Sequence, residues 1–432
     1  MALTLTISVS TCLAVILSVL FFPTVKLGKL SFSSYWAIAC VGALLLLLTF
    51  RISPTELISE LTADTAVNPL KILVLFLSMT ALSVYLDEVG FFSYLAAAAL
   101  RRAAGRQSIL FLTLYLLVSV LTVFTSNDVI ILTLTPFICY FAKNAQIDPL
   151  PYLIAEFIAA NTWSMALIIG NPTNIYLASS AGITFGKYLT VMILPTILAG
   201  SVSLLVLLLL FRRTLAMPMQ PIPAEVTFRR RAPLVIGLVH LSLCTLLLAV
   251  SSYLGLEMWL ISLAFAVSLF LSGAIAAFAD RRRPVELKRT LERLPRQLIP
   301  FVLSMFTVVL ALKSYGVTDA LSSLLSPLSP IPTYGILSFL SANLLNNIPM
   351  SVLFSEILNA SAELSAPGVY ATVIGSNIGA YLTPIGALAG IMWSSQLSRA
   401  GIRFSFSSFV KYGALISIPT LCAALIGLVI VL

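Results

Sequence analysis

Apolar runs of about 20 residues, the length of one bilayer crossing, recur along this chain from Leu3 to Leu432 with short polar breaks between them. Ten read as complete spans: 3–21, 33–50, 69–86, 150–175, 188–211, 233–253, 258–278, 298–313, 369–396 and 411–431. Two others, 107–142 and 331–358, are interrupted at polar knots, Thr125-Ser126-Asn127-Asp128 and Asn346-Asn347. Before the second knot the apolar run Ile331–Ala342 is only about 12 residues, too short to cross, and suits a segment that enters and leaves on one side. The expected fold is an all-α polytopic membrane protein with two re-entrant hairpins.

Composition agrees. The chain is 59 % hydrophobic and 9 % charged, where a soluble domain carries roughly a quarter charged residues. That excludes a soluble enzyme, a secreted disulfide scaffold and a disordered chain. The first run lacks a basic leader and a small-residue cleavage site, so it reads as a retained span. Cys12, Cys40, Cys139, Cys244 and Cys422 are scattered, a pattern that suits packed thiols better than disulfides or a zinc site. The lone His240 sits in a span near a basic loop and reads as a packed or interfacial side chain.

The net charge of +9 does not imply nucleic acid, because the basic residues cluster in short loops such as Arg212-Arg213 with Arg229-Arg230-Arg231, and Arg281 through Arg296. Basic loops face the cytoplasm. With both interrupted stretches treated as hairpins, 21 of the 25 Lys and Arg fall on one side, against Arg51, Lys71, Lys187 and Lys313 on the other. With both crossing once, the split would be 15 to 10. The hairpin reading places both termini outside the cell membrane.

The chain also repeats itself. Leu77-Ser78-Met79 and Gly90 match Leu303-Ser304-Met305 and Gly316 at an offset of 226, and Asn127 matches Asn346 at 219. Asn161 and Ile169-Gly170 match Asn377 and Ile385-Gly386 at 216, while Lys187-Tyr188 with Pro195-Thr196 match Lys411-Tyr412 with Pro419-Thr420 at 224. The expected organisation is a first repeat, 1–211, with hairpin 107–142 and broken helix 150–180; a basic linker, 212–232; and a second repeat, 233–432, with hairpin 331–358 and broken helix 369–396. Each half holds an odd number of crossings, so the second copy is expected inverted, the pattern of secondary transporters with broken helices at the midplane.

Irregular backbone at membrane depth persists only inside protein or beside a wet cavity. Four segments fit: Thr125 to Asp128; Asn161-Thr162 with Gly170-Asn171-Pro172-Thr173-Asn174; Asn343 to Pro349; and Ser376-Asn377 with Thr383-Pro384-Ile385-Gly386. Gly and Pro break the helix while Asn, Ser and Thr supply donors and acceptors. Candidate solute or ion contacts are Thr125, Ser126, Asn127, Asn161, Thr162, Asn171, Thr173, Asn174, Asn346, Asn347, Ser376, Asn377 and Thr383. The bland alternative is that these groups only satisfy backbone at kinks.

Asp128 and Glu156 are ionisable groups within the membrane, which by default mark function, here as proton carriers. Asp128 could instead cap a helix, and Glu156 could bond a neighbouring helix. Asp87 and Lys313 hold matching places at span ends and read as interfacial anchors or gate residues. Residues 88–105 read as an amphipathic interfacial helix. The chain has no G-x-x-x-x-G-K-[ST] phosphate loop, so no cofactor is expected and the energy must come from an ion gradient or a separate partner. No Lys or Arg lies deep in a span to neutralise a large anion.

Ser126-Asn127-Asp128 with Leu134-Thr135-Pro136, Gly170-Asn171-Pro172-Thr173-Asn174-Ile175, Asn346-Asn347-Ile348-Pro349, and Thr383-Pro384-Ile385-Gly386 with Trp393 resemble the arsenite efflux permease branch of the ion transporter superfamily, over essentially the whole chain. The resemblance implies a midplane site in a transport unit that moves against a scaffold, often in a homodimer. It further implies export of arsenite or antimonite across the inner membrane against inward protons, and a soluble ATPase as candidate partner. Where several members carry an acidic residue in the second broken helix, this chain has Asn377. The competing readings are a sodium-coupled carboxylate or anion carrier, a sodium/proton antiporter, a channel and, least supported, an intramembrane enzyme.

Overall fold

The computed structural model describes residues 2–432 except 23, 28–29, 66–67, 104, 220–230 and 361–364. Arg229 and Arg230 of the basic linker therefore lie outside the described residues. The element order runs twice. The first series is α1 (Ala2–Phe21), α2 (Ser34–Leu48), α3 (Pro54–Thr62), α4 (Pro69–Glu88), α5 (Phe91–Arg102), α6 (Gln107–Phe124), α7 (Asn127–Ala145), α8 (Leu150–Trp163), α9 (Pro172–Ser180) and α10 (Phe185–Leu215). The second is α11 (Arg231–Leu254), α12 (Met258–Ala279), α13 (Val285–Arg293), α14 (Leu298–Ser314), α15 (Val317–Leu325), α16 (Pro330–Leu345), α17 (Asn347–Asn359), α18 (Ala366–Gly379), α19 (Leu388–Arg399) and α20 (Phe406–Val431).

One departure from an all-α fold is a two-stranded antiparallel ribbon between α1 and α2, β1 (Thr24–Leu27) and β2 (Leu30–Ser33), which pairs Thr24 with Ser33 and Leu27 with Leu30. Its segments are too short for a helix nucleus to repay its cost. Among the described residues, nine helical stretches are long and apolar enough to cross a membrane, α13 and α14 being counted as one. Of the ten spans read from sequence, α1, α4, α10, α11, α12, α14 and α20 meet that test. The 15 residues of α2 cover about 22 Å at 1.5 Å per residue, and the two broken helices are divided as expected. At the interrupted stretches, α6 and α7 are each long enough to span, whereas α16 and α17, at 16 and 13 residues, are not.

Packing repeats along with element order. α2 lies on α14 as α12 lies on α4, and α6 lies on α8 as α16 lies on α18. The hairpin helix α7 packs on α19 of the other half, as α17 packs on α9. Between α4 and α5, and between α14 and α15, the chain turns through a left-handed glycine, Gly90 at φ 86° and Gly316 at φ 71°. A side chain is strained there, which accounts for the matching glycines. Two helix groups result. α1, α2, α4, α11, α12 and α14 pack mainly on one another, while α6 to α10 interlock with α16 to α20. In the second group, small residues bring backbones close: a Cβ on Gly375 would overlap Ser338 and the Gly335 carbonyl, and one on Gly379 would lie 2.7 Å from Phe339 O.

Candidate functional site

Both broken helices are built by residues that cannot continue a helix. After α8 the chain makes two short 3-10 turns, Ser164–Ala166 and Ile168–Gly170, then restarts at Pro172. Proline is tolerated at that first helical position, where its missing N–H costs nothing. The Asn171 side chain caps α9, accepting from Thr173 N at 3.2 Å. Glycine is required at 170, because a Cβ there would run into the Ser164 carbonyl. The second break, between α18 and α19, is pinned to the tip of its own hairpin. Asn347 N donates to Gly386 O at 3.0 Å, and Asn346 Nδ2 to Ile385 O at 3.1 Å. Asn343 Nδ2 donates to Gly379 O at 3.0 Å, and Thr383 Oγ1 to Asn343 Oδ1 at 2.7 Å.

The first tip is held differently. Asn127 Nδ2 donates to Asn161 Oδ1 at 3.0 Å, and Asn161 Nδ2 donates back to Phe157 O at 2.8 Å. Asn377, the repeat-mate of Asn161, makes the same backbone bond, to Val373 O at 2.9 Å. Its remaining capacity is spent across the halves: Asn377 Oδ1 accepts from Ser164 Oγ at 2.9 Å and from Asn171 Nδ2 at 3.0 Å, and Nδ2 donates to Asn174 Oδ1 at 2.7 Å. Asn174 Nδ2 in turn donates to Ser164 O at 2.8 Å and Leu167 O at 3.1 Å. Thr162 Oγ1 donates to the Tyr381 hydroxyl at 3.3 Å. Asn161, Thr162, Ser164, Asn174 and Asn377 are all fully buried.

The sequence-derived candidates therefore fall into connected groups. Asn161 and Asn127 form one, Asn171, Asn174 and Asn377 a second, and Asn346, Asn347 and Thr383 a third around the second tip. Thr125 Oγ1 and Ser126 Oγ are spent locally, on Leu121 O at 2.8 Å and Asn127 Oδ1 at 3.5 Å, as is Thr173 Oγ1 on Asn174 Oδ1 at 3.5 Å. Among these candidates, Ser376 Oγ and Asn347 Oδ1 are buried and have no hydrogen-bond partner among the described residues, so they keep capacity to spare. Ser164 and Tyr381 complete these networks without a sequence signal of their own beyond adjacency to a break; a lone Ser or Tyr in an apolar helix carries no periodicity that marks it.

Asp128 stands in the first turn of α7, where its backbone N–H donates to Asn127 Oδ1 at 2.9 Å. A negative charge there complements the helix dipole. Its carboxylate takes part in no ion pair among the described residues. The Glu156 carboxyl on α8, 1 % exposed, meets one donor, Thr135 Oγ1 on α7, at 3.0 Å from each oxygen. It thus ties hairpin to broken helix, with no ion pair among the described residues. His240 lies apart, packed between α11 and α12 with its ring nitrogens 2.8 Å from Ile236 O and 3.1 Å from Ser268 Oγ. The described residues hold no group of three metal-ligating side chains, and the five cysteines are free thiols.

Comparison with known proteins places this architecture. Residues 14–375 match the family model described as citrate transporter, CitMHS. The chain is 30 % identical over 373 residues to the arsenical pump membrane protein of Escherichia coli K12, covering 82 % of this chain and 84 % of that one. It is 30 % identical over 378 residues to the protein of the same name from Yersinia enterocolitica, with the same coverage. Two solved structures share the fold at low identity. The YdaH transporter of Alcanivorax borkumensis superposes with a TM-score of 0.59 at 14 % identity, covering 99 % of this chain and 97 % of that one. MtrF of Neisseria gonorrhoeae gives 0.52 at 13 %, covering 98 % and 94 %. The chain is thus a multi-pass membrane transporter of the arsenical pump type and not an enzyme: it belongs to the CitMHS family of the ion transporter superfamily, with the arsenical pump membrane proteins among its relatives.

Proposed function

We propose that this protein exports arsenite or antimonite across the inner membrane in exchange for protons. The observation that carries the reading is the Asn377 cluster: a fully buried set of amides and hydroxyls contributed by both broken helices. Neither the two breaks nor the hairpin tips contain a Lys or Arg. Near neutral pH arsenite is an uncharged triol, for which such groups are the matching partners. A route through thiolates would require clustered cysteines, and these are scattered.

Two carboxyl groups without ion-pair partners among the described residues support the coupling. Glu156 on the first broken helix is buried, and a buried carboxylate must be neutralised by a proton or a bound cation; Asp128, at the first hairpin tip, is half-buried. The candidate solute contacts are the residues of the three connected groups, with Thr125, Ser126, Thr162, Thr173 and Ser376. The repeated element order supports two inverted repeats, 1–211 and 233–432, and the basic loops support termini outside. A homodimer and a soluble ATPase belong to the same reading. The ATPase would dock on loops 212–232 and 279–297, where Lys288 and Arg289 of α13 have side chains 79 % and 64 % exposed.

A second reading has one specific observation in its favour, the citrate transporter description of the family model. A sodium-coupled carrier of carboxylates would need its anion's charge balanced at the site, and only helix ends and a bound cation offer that here. Everted vesicles separate the two. Arsenite uptake driven by a proton gradient in sodium-free buffer supports export by exchange. Uptake of citrate that requires sodium, with no arsenite uptake, replaces that reading with the second.

A further inference from the structure

Lys313 near the end of α14 reaches across to Glu356 on the hairpin helix α17, with Nζ and Oε2 2.9 Å apart. The pair joins the two helix groups, for α14 packs on α1 and α2, while α17 packs on α9, α16 and α18. Its two side chains are 48 % and 11 % exposed, and they border a cavity of about 140 Å³ that Glu60 and Thr65 also line. The helix carrying Glu356 begins at Asn347, so a displacement of α17 as a rigid rod displaces the second tip.

The other half makes this link without an ion pair. Asp87 on α4 is the repeat-mate of Lys313, yet it pairs with Arg293 of α13 at 2.6 Å and meets α7 through the Thr133 hydroxyl, with no charged side chain of that helix among the described residues. Contact between α14 and α17 is also the more extensive of the two equivalent contacts, the other being α4 with α7. In transporters built from inverted repeats, alternating access is largely a rocking or gating of one unit against the other. Such a motion of the hairpin group against α14 would part α17 from α14.

We propose that Lys313 and Glu356 are positioning residues whose ion pair latches the second hairpin to α14 in one of the two alternating states and opens in every transport cycle. This rests on the transporter reading but not on the identity of the solute. The test replaces both residues by cysteine in a background whose five native cysteines are serine or alanine, and tethers them with a short, reducible bis-methanethiosulfonate. If the latch must open, tethered protein loses arsenite uptake by about tenfold or more, as expected when a required step is blocked, and reduction restores it. Uptake at the untethered rate with the tether in place overturns the latch. A contact that only stabilises the fold tolerates the tether, which separates the two roles.

If the untethered background shows no arsenite uptake, the solute reading fails on its own, and the latch is then read by distance. Spin labels at the two positions in reconstituted protein should show a short and a long population. A single short distance, with and without an imposed proton gradient, overturns the proposal.

Discussion

Asn377 and Asn174 are joined side chain to side chain across the two halves, Nδ2 to Oδ1 at 2.7 Å, while Asn377 Oδ1 accepts from Asn171 and Ser164. The amide's polarity is therefore fixed: its nitrogen faces an acceptor and its oxygen faces donors. Asn377→Leu strands those partners in the core at about 1–3 kcal/mol for each unsatisfied group, and should lower both the unfolding midpoint and transport. Asn377→Asp keeps the shape but sets oxygen against oxygen at Asn174. Transport by that variant should fall sharply at neutral pH and recover partly in acid, where a protonated carboxyl can donate. A flat pH response in vesicle uptake would contradict this assignment of the hydrogen bonds.

Glu156 separates coupling from packing. Glu156→Gln retains an oxygen to accept from Thr135 Oγ1, so the bond between α7 and α8 survives. Retained expression and thermal midpoint are expected, with proton-driven uptake lost. Solute uptake that still follows the imposed proton gradient in this variant would remove Glu156 from the coupling path.

Gly170 tests the first break. A Cβ at this position meets the Ser164 carbonyl, and Ser164 belongs to the Asn377 cluster. Overpacking of this kind costs about 1–3 kcal/mol. Gly170→Ala should lower transport more than Gly182→Ala, which changes a left-handed position with nothing near its Cβ. Uptake in vesicles at matched expression decides the order.

In the lining of a cavity of about 370 Å³, Lys71 binds both Asp64 and Glu257. Its ammonium, first through the hydrogen bond, holds both carboxyls below their ordinary values of 3.8 and 4.5. The sign follows from linkage. Groups with depressed folded values contribute stability that is complete above the ordinary values and is lost as pH falls through the depressed ones. The thermal midpoint of Lys71→Met should therefore lie slightly below that of the parent at neutral pH, since exposed pairs contribute little. The two should converge in acid; a gap that widens there would contradict the assignment.

Much of this was legible in the chain. Length and hydropathy located the spans because a bilayer sets both, and the polar knots marked where the two interrupted stretches divide into helix pairs. The offsets linking Gly90 to Gly316 and Asn161 to Asn377 announced the repeated plan. Less visible were α3, α13 and α15, each nine residues long, because surface helices of that size leave too short a periodicity. The ribbon at 24–33, between the first two spans, is hidden for the same reason. Sequence named the asparagines but not their partners: that Asn377 would bond Asn174 rather than Asn161 depends on how α18 crosses α9, which no local pattern encodes. The Lys313–Glu356 pair was equally hidden, since it joins residues 43 apart on helices whose contact is set by the whole bundle.

The most direct test of the account is arsenite uptake into everted vesicles with an imposed proton gradient in sodium-free buffer, comparing the parent with Asp128→Asn at matched expression. Asn preserves the side-chain shape beside the first tip and removes the titratable group. Gradient-driven uptake by the parent, absent in Asp128→Asn, is the expected result. Equal uptake by both would show that Asp128 carries no coupling proton, and no uptake by either would contradict the arsenite reading itself.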